Sequence, residues 1–479
     1  MTSSPLLTLF SHQSQGGLRD RLCGTLRQAI ASGHLRYGQK VPSSRQLATD
    51  LGLSRVTVEA AYAQLESEGY LQRHSGRGTF VAIAMPQRAS TAQPRNGLRF
   101  SARGSQVLAT GGCQDPPFPH AFAAGSPELR AFPHTQWRRI SASVQRSLAS
   151  KAMGYGDPCG YAPLRQALAD YLALSRGVRC SAEQVLILTS SQQALQLLAL
   201  MFLDSGDDVW LEEPGYPGAR NAFLAAGARC RAMPLDEAGA VPLEGSAKLV
   251  YLTPSHHYPT GTPMSLARRL AWLAWARQQD SWLIEDDYDS EFHYDERPQP
   301  ALQGLEADSR VISLGTFSKT LFPSLRLAWM VVPPALVDAL GRARSVLDGH
   351  SALLPQAITA EFIQQGHFAS HLRLMRQLYH SRRDVLLQQL TTRCAPWLTP
   401  LPAAGGLQLT VRLLQGDEAA LTAQGQAQGL LLPRLSPLYA GQTRQPGWIL
   451  GFAALTPGEI VSACDKLVTL LSRCGQNAR

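Results

Sequence analysis

Apolar positions in the first eighty residues recur with a helical period. Leu18, Leu22, Leu26 and Ile30 stand four apart, the stripe of a helix closed by Gly33. In "VPSSRQLATDLGLS" either Ser43 or Ser44 can cap a short helix ending near Gly52. "LSRVTVEAAYAQLESEGYL" opens a longer helix with Ser54 as N-cap and Val58, Ala61, Tyr62 and Leu65 inward. Two helices joined by "LGLS" predict a helix-turn-helix, and two strand-like runs around "HSGRG" predict a β-hairpin wing. From 83 to 115 no period is sustained; Pro, Gly, Ser, Thr, Ala and Gln dominate, as in a tether or a wrapping linker. From about residue 116, strand-like runs ("QVLILT", "DVWLEE", "KLVYLTP", "SWLIEDDYD", "RVISLGTFSK") alternate with helical ones. Such alternation predicts an α/β domain with a mainly parallel sheet, whose ligands bind beyond the carboxyl ends of the strands. The expected organisation is a winged helix-turn-helix, mainly α with a β wing, over 1–82, a linker over 83–115 and an α/β domain over 116–479.

Composition narrows the class. A chain of 479 residues with 44% hydrophobic content suits a globular protein of two or three domains. It has no run of 18 uncharged apolar residues, and its first residues lack a basic region and a long apolar core. A cytoplasmic protein without a membrane span is expected. The eight cysteines are scattered, with no C-x-x-C spacing, so neither a metal site nor a redox pair is expected.

Charge separates the two ends. Residues 1–104 hold 13 basic and five acidic side chains, and the other 375 residues hold 32 and 31. A basic head on a neutral body predicts a polyanion as partner of the head, and on a helix-turn-helix that polyanion is double-stranded operator DNA. The second helix of such a unit presents its N-terminal residues to the major groove, where Arg55 and Thr57 stand with Ser54 beside the backbone. Arg45 is placed for a phosphate, and Gly76 lets the backbone approach DNA beside Arg77 at the wing tip. "VPSSRQLA", "LSRVTVEAAYAQLE" and "GYLQRHSGRGTFV" resemble the GntR-type winged helix. That resemblance implies DNA contacts for the residues matching Arg45, Arg55, Thr57 and Gly76. Glu59 departs from it, because some relatives carry a DNA-contacting arginine there.

The body holds a further clue in "GTFSKTLFPSLRLAW". Lys319 is one of five lysines against forty arginines. A lysine can lose its proton and form an imine, which arginine cannot. A Schiff base with pyridoxal phosphate needs a phosphate site, and Thr316, Ser318 and Arg326 are candidates, with the amides of Ser191 and Gln192 opening a helix after a strand. Asp286 in "IEDDYD" is the candidate for the pyridine nitrogen, Tyr288 for the phenolic oxygen and Tyr216 in "EEPGYP" for the ring face.

The ordered set resembles the fold-type-I aminotransferases and, joined to a GntR-like head, the MocR family of regulators. "YGDPCGYAPLRQALADYL", "TPSHHYPTG" and "EDDYDSEFHYD" carry the likeness as well. The resemblance implies pyridoxal phosphate on Lys319, with Asp286, Tyr216 and Arg326 as its partners. It also implies a homodimer in which Tyr155 reaches the partner's site. There are departures. Tyr258 stands where aminotransferases often carry asparagine before "PTG". Relatives that respond to 4-aminobutyrate use an arginine shortly after the "PGY" tyrosine, where this chain has Gly218 and then Arg220. Arg434, Arg444 and Arg220 are the candidates for an effector carboxylate. The leading reading is a transcription regulator that senses pyridoxal phosphate or an amine or amino compound reacting with it. An active aminotransferase carrying a DNA-binding head is the alternative, and a dimerisation scaffold the third.

Overall fold

A computed structural model describes residues 3–13, 16–84, 100–111, 121–294, 299–306, 310–402, 404–441 and 444–473. They fall in two compact units divided between Arg99 and Phe100.

In the first unit, helices Leu18–Ala31, Ser44–Leu51 and Arg55–Ser67 precede a hairpin of Leu71–His74 and Gly78–Val81. Ser43, not Ser44, caps the short helix by accepting from the Gln46 amide at 3.2 Å. Gly52 stops that helix at φ +65°, a left-handed conformation that costs glycine least. Ser54 caps the next by accepting from the Thr57 amide at 3.1 Å. Leu22, Leu26 and Ile30 pack with Leu47, Val58, Tyr62 and Leu65. Leu18, in the first turn of its helix, is half exposed rather than part of that stripe. A helix over Ser3–His12, unheralded by the periodicity, contributes Leu6 to the same core.

The second unit is built on seven strands in the order Val185–Leu188, Ala328–Val331, Val311–Thr316, Trp282–Asp287, Leu249–Leu252, Asp208–Glu212 and Arg229–Met233. Ala328–Val331 runs antiparallel to both its neighbours; the other pairs are parallel. Strand Val185–Leu188 sends Val185 and Ile187 into one core and Leu186 and Leu188 into another. Burial on both faces explains why these strands read as unbroken apolar runs. Two strands escaped the pattern. Arg229–Met233 is a sheet edge with alternating charge, and Ala328–Val331 is a four-residue return directly after the Arg326 turn. A three-stranded antiparallel sheet (Leu398–Pro400, Gln408–Leu413, Gly447–Gly451) and helix Pro457–Ser472 complete the unit.

The stretch read as linker is not structureless throughout. Helix Ala102–Ala109, capped by Ser101, belongs to the second unit and packs against helix Pro217–Ala225. Its apolar residues are too few for a readable period. Residues 85–99 and 112–115 of the expected linker, with Cys113, lie outside the described residues, as does Cys474. The six described cysteines are free thiols. Among the described residues no helix is long and apolar enough to cross a membrane, and no group of His, Cys, Asp or Glu could hold a metal ion.

Candidate functional site

The strand ends Thr316, Asp286 and Tyr251 meet at a cavity of about 790 Å3. Lys319 sits on its wall in a four-residue helix, Phe317–Thr320, that directly follows strand Val311–Thr316. Thr316 caps this helix by accepting from the Ser318 amide at 3.1 Å. Lys319 Nζ donates to the Gly125 carbonyl at 2.9 Å. Gly125 has φ +66°, and a Cβ there would lie 2.7 Å from Nζ, so only glycine leaves the amine its place.

Strand alternation gives the paired acids different fates. Asp287 turns to Arg176, with Arg176 Nε 2.8 Å from Asp287 Oδ2, and accepts from Ser290 Oγ as well. Asp286 turns to the cavity. Its Oδ2 accepts from Tyr251 Oη at 2.6 Å, while its buried Oδ1 has no hydrogen-bond partner. Burial pushes the Asp286 carboxyl up to about 7, against the pull of the Tyr251 hydrogen bond. Glu212, at the end of strand Asp208–Glu212 two places along the sheet, accepts from the Thr253 amide and hydroxyl, yet burial raises it to about 8. Acids held out of water resist ionising unless a cation meets them.

Four tyrosines wall the cavity. Tyr216 stacks on Tyr251 with centroids 6.4 Å apart, and Tyr258 meets Tyr216 and Tyr288 edge-on. Tyr288 Oη lies 3.2 Å from His256 Nδ1, which lies 3.0 Å from Asp289 Oδ1. Burial would lower His256, but the Asp289 carboxylate outweighs it and holds the imidazole above its ordinary value. An ionised carboxylate only accepts, so Nδ1 carries the proton of that bond. The Tyr288 hydroxyl is then left to donate elsewhere. His256 lies in "TPSHHYPTG", and the motif alone gave no role for it. Gly406, at φ +81°, lies so close to this pair that a Cβ would come within 2.3 Å of the His256 ring.

Of the candidate anion ligands, Ser191 at the start of helix Ser191–Phe202, Thr316 and Arg434 line the cavity. Gln192, Ser318, Arg326 and Tyr155 do not. Gln192 Nε2 donates to the Gly218 carbonyl at 3.0 Å. Arg326 is exposed in a left-handed turn at φ +53°, and Tyr155 is fully exposed, its ring 6.0 Å from His350. Arg220 donates to the Leu438 carbonyl and Arg444 to the Gly441 carbonyl, so of the three carboxylate candidates the cavity includes Arg434 alone. Gly218 is closely confined: a Cβ would sit 2.5 Å from the Tyr216 ring and 2.6 Å from Gln192 Oε1. The remaining wall includes Leu407, Leu430, Leu431, Leu432 and Pro433 together with the polar Gln408, Thr422 and Gln426.

On the first unit, Arg45, Ser54, Arg55 and Arg77 are exposed, and Arg77 follows Gly76 at φ +69°. Thr57 Oγ1 is tied to Ser54 Oγ at 2.8 Å. Glu59 lies 3.9 Å from Arg55 and 3.4 Å from Arg73, joining the second helix to the wing strand. Lys40 lies across Gly78, where a Cβ would come within 2.5 Å of its Cε. It adds a cation near the wing that spacing alone did not single out.

Residues 18–81 match the bacterial regulatory proteins of the gntR family, and residues 125–467 match aminotransferase class I and II. The chain is 40% identical to the probable rhizopine catabolism regulatory protein MocR of Rhizobium meliloti, over 92% of this chain and 91% of that one. The chain belongs to the MocR-type transcription regulators. This regulator is also 30% identical to the pyridoxine biosynthesis regulator PdxR of Corynebacterium glutamicum, over 91% of each chain. Its body has the aminotransferase fold. LysN, the α-aminoadipate aminotransferase of Thermus thermophilus, solved with N-(5'-phosphopyridoxyl)-L-leucine, matches 78% of this chain and 95% of its own with a TM-score of 0.69 and 28% identity. The regulator thus joins a gntR-type DNA-binding head to an aminotransferase-type body.

Proposed function

We propose that this regulator holds pyridoxal phosphate at Lys319 and changes its hold on operator DNA when the cofactor, or an amine reacting with it, occupies the body. The observation that carries the reading is Asp286 Oδ1, a buried carboxylate oxygen with no partner, on the wall that also bears Lys319. A buried acceptor of this kind suits a ring N–H, and a charge-assisted hydrogen bond there would draw Asp286 back to its ionised form. When bound, pyridoxal phosphate supplies a carbonyl that amines attack and a ring that withdraws electrons. Tyr251 fixes Asp286, Tyr216 offers a ring face, and Tyr288 has a hydroxyl proton to donate. Ser191 and Thr316 are the phosphate ligands on the wall. Ser318, Gln192 and Arg326 join them on the strength of sequence, Arg326 being seven residues past Lys319.

Three further features support sensing. Arg434 and the leucines beside it on the wall (Leu430, Leu431 and Leu432) suit an amine with one anionic group and an aliphatic body; Arg220 and Arg444 are the less suited carboxylate candidates. Met153, Tyr155, Val346 and Leu347 are exposed, the first three more than four-fifths, as expected of a face awaiting a second copy. Helix Ala102–Ala109, which follows the head and linker in sequence, packs on helix Pro217–Ala225, whose N-cap is the cavity residue Tyr216. A ligand that moves Tyr216 can therefore reach the chain that leads back to the head over 1–82. The remainder of 83–115 serves as tether and the body from 116 as effector and dimerisation domain.

The test is linkage. Pyridoxal phosphate and amine affinities are measured with and without operator DNA, alongside steady-state transamination with a 2-oxo acid. Any change in operator affinity caused by a ligand must equal the change in that ligand's affinity caused by DNA. Ligand affinities indifferent to DNA, together with sustained turnover, would instead establish the enzyme reading.

A further inference from the structure

The first turn of the second helix, which lies in the major groove when such units dock, leaves little of its polar chemistry uncommitted. The Ser54 and Thr57 hydroxyls meet each other at 2.8 Å, and Ser54 also caps the helix. Glu59 is engaged by Arg73 at 3.4 Å and approached by Arg55 at 3.9 Å. Between Arg55 and Thr57 stands Val56, 78% exposed and outside the core of its unit. A lone exposed valine is ordinary on a protein surface. This one occupies the second position of the helix, on a β-branched side chain that helices do not favour. Ala60 and Ala63 continue it at the i+4 and i+7 positions and are exposed too. The face is therefore small and apolar, with the exposed cation Arg55 next to Val56 in the chain.

An apolar strip on a helix that docks in the major groove fits the single apolar group that bases display there, the thymine C5-methyl. We infer that Val56 reads a thymine methyl in each operator half-site, at a base pair distinct from the one contacted by Arg55, and so sets operator sequence. The inference rests on DNA binding by the head. Burying one methyl against Val56 predicts about a fourfold change in affinity per half-site.

The experiment uses the full-length protein in the presence of pyridoxal phosphate. Bound duplexes are selected from a random pool, and each thymine of the recovered site is then replaced singly by deoxyuridine, which removes only the methyl. Wild type should lose about fourfold at one thymine per half-site. Val56→Ala, an exposed change that leaves the helix core intact, should bind the thymine duplex correspondingly less well and be indifferent to the methyl at that position alone. Deoxyuridine changes that all stay within twofold overturn the inference, as does a Val56→Ala protein that remains as methyl-sensitive as wild type. Failure of the full chain to enrich any duplex would overturn the DNA-binding reading itself and this inference with it.

Discussion

The head and the body keep their chemistry in opposite places. In the head the candidate residues Arg45, Arg55 and Arg77 stand in water, on a scaffold that buries no charged side chain among the described residues. In the body the acids Glu212, Glu285, Asp286, Asp287 and Asp289 are all buried. An exposed cation waits for a partner at little cost, because water already solvates it. A buried acid must be matched from within or remain unionised. The head thus resembles a surface ready for a polyanion, and the body a set of acids met mostly from within, by Arg176, His256, Thr253 and backbone amides.

The comparison breaks most sharply at Lys319. Lys319→Ala should abolish the borohydride-reducible adduct with pyridoxal phosphate completely and leave the head's DNA contacts unchanged. A reducible adduct surviving in the variant would place the amine elsewhere. Next in size is the contrast between the two adjacent acids. Asp287→Ala strands the buried Arg176 and should cost about 3–5 kcal/mol of stability, read by denaturant unfolding followed through tryptophan fluorescence. All eight tryptophans lie in the body, so this signal reports it alone. Asp286→Ala should cost less stability, about 1–3 kcal/mol for the buried Tyr251 hydroxyl left without its acceptor, and weaken cofactor retention by about 1.5–3 kcal/mol. The reverse order of effects would exchange the two roles.

In the head the effects are smaller and concern DNA. Arg55→Ala should cost about 1–3 kcal/mol and relax specificity at one base pair. Arg45→Ala should weaken all sequences alike and reduce the salt slope by about one. Equal, sequence-independent losses in both would mean that the second helix does not read bases. The smallest effect is one of pH. Asp286, at about 7, and Glu212, at about 8, lie well above their unfolded values, and each contributes stability that is lost as pH rises through its folded value. Raised His256 acts in the same sense. His257, lowered to about 3 by burial, is neutral in both states above about 6.5 and so drops out there. The cofactor-free body should therefore become less stable from pH 6.5 to 8, and Glu212→Gln should flatten the slope. A body whose stability rises over that interval would contradict the burial of these acids.

The head was more legible from sequence than the body's cavity, for a physical reason. Helix period, caps and wing are local, so Ser54, Gly52 and the hairpin follow from neighbours in the chain. The cavity joins residues far apart in sequence. Lys319 and Asp286 could be named from their own motifs. Gly125, Tyr251 and the His256–Asp289 pair could not, since their roles arise where separate strands and loops meet. Alternation in "IEDDYD" does separate Asp286 from Asp287, but only the position of Arg176 tells which face is the cavity. Helix Ala102–Ala109 escaped because a single exposed turn or two leaves no apolar period to detect.

Gly218 and Arg434 line one cavity but differ in how freely each side chain can change. Any side chain there runs into Tyr216 and Gln192, so a larger residue at 218 must be preceded or accompanied by a change in one of them. Arg434 is exposed on the same cavity, and its side chain can be exchanged alone. Along this wall, change by single substitution is open at 434 and constrained at 218.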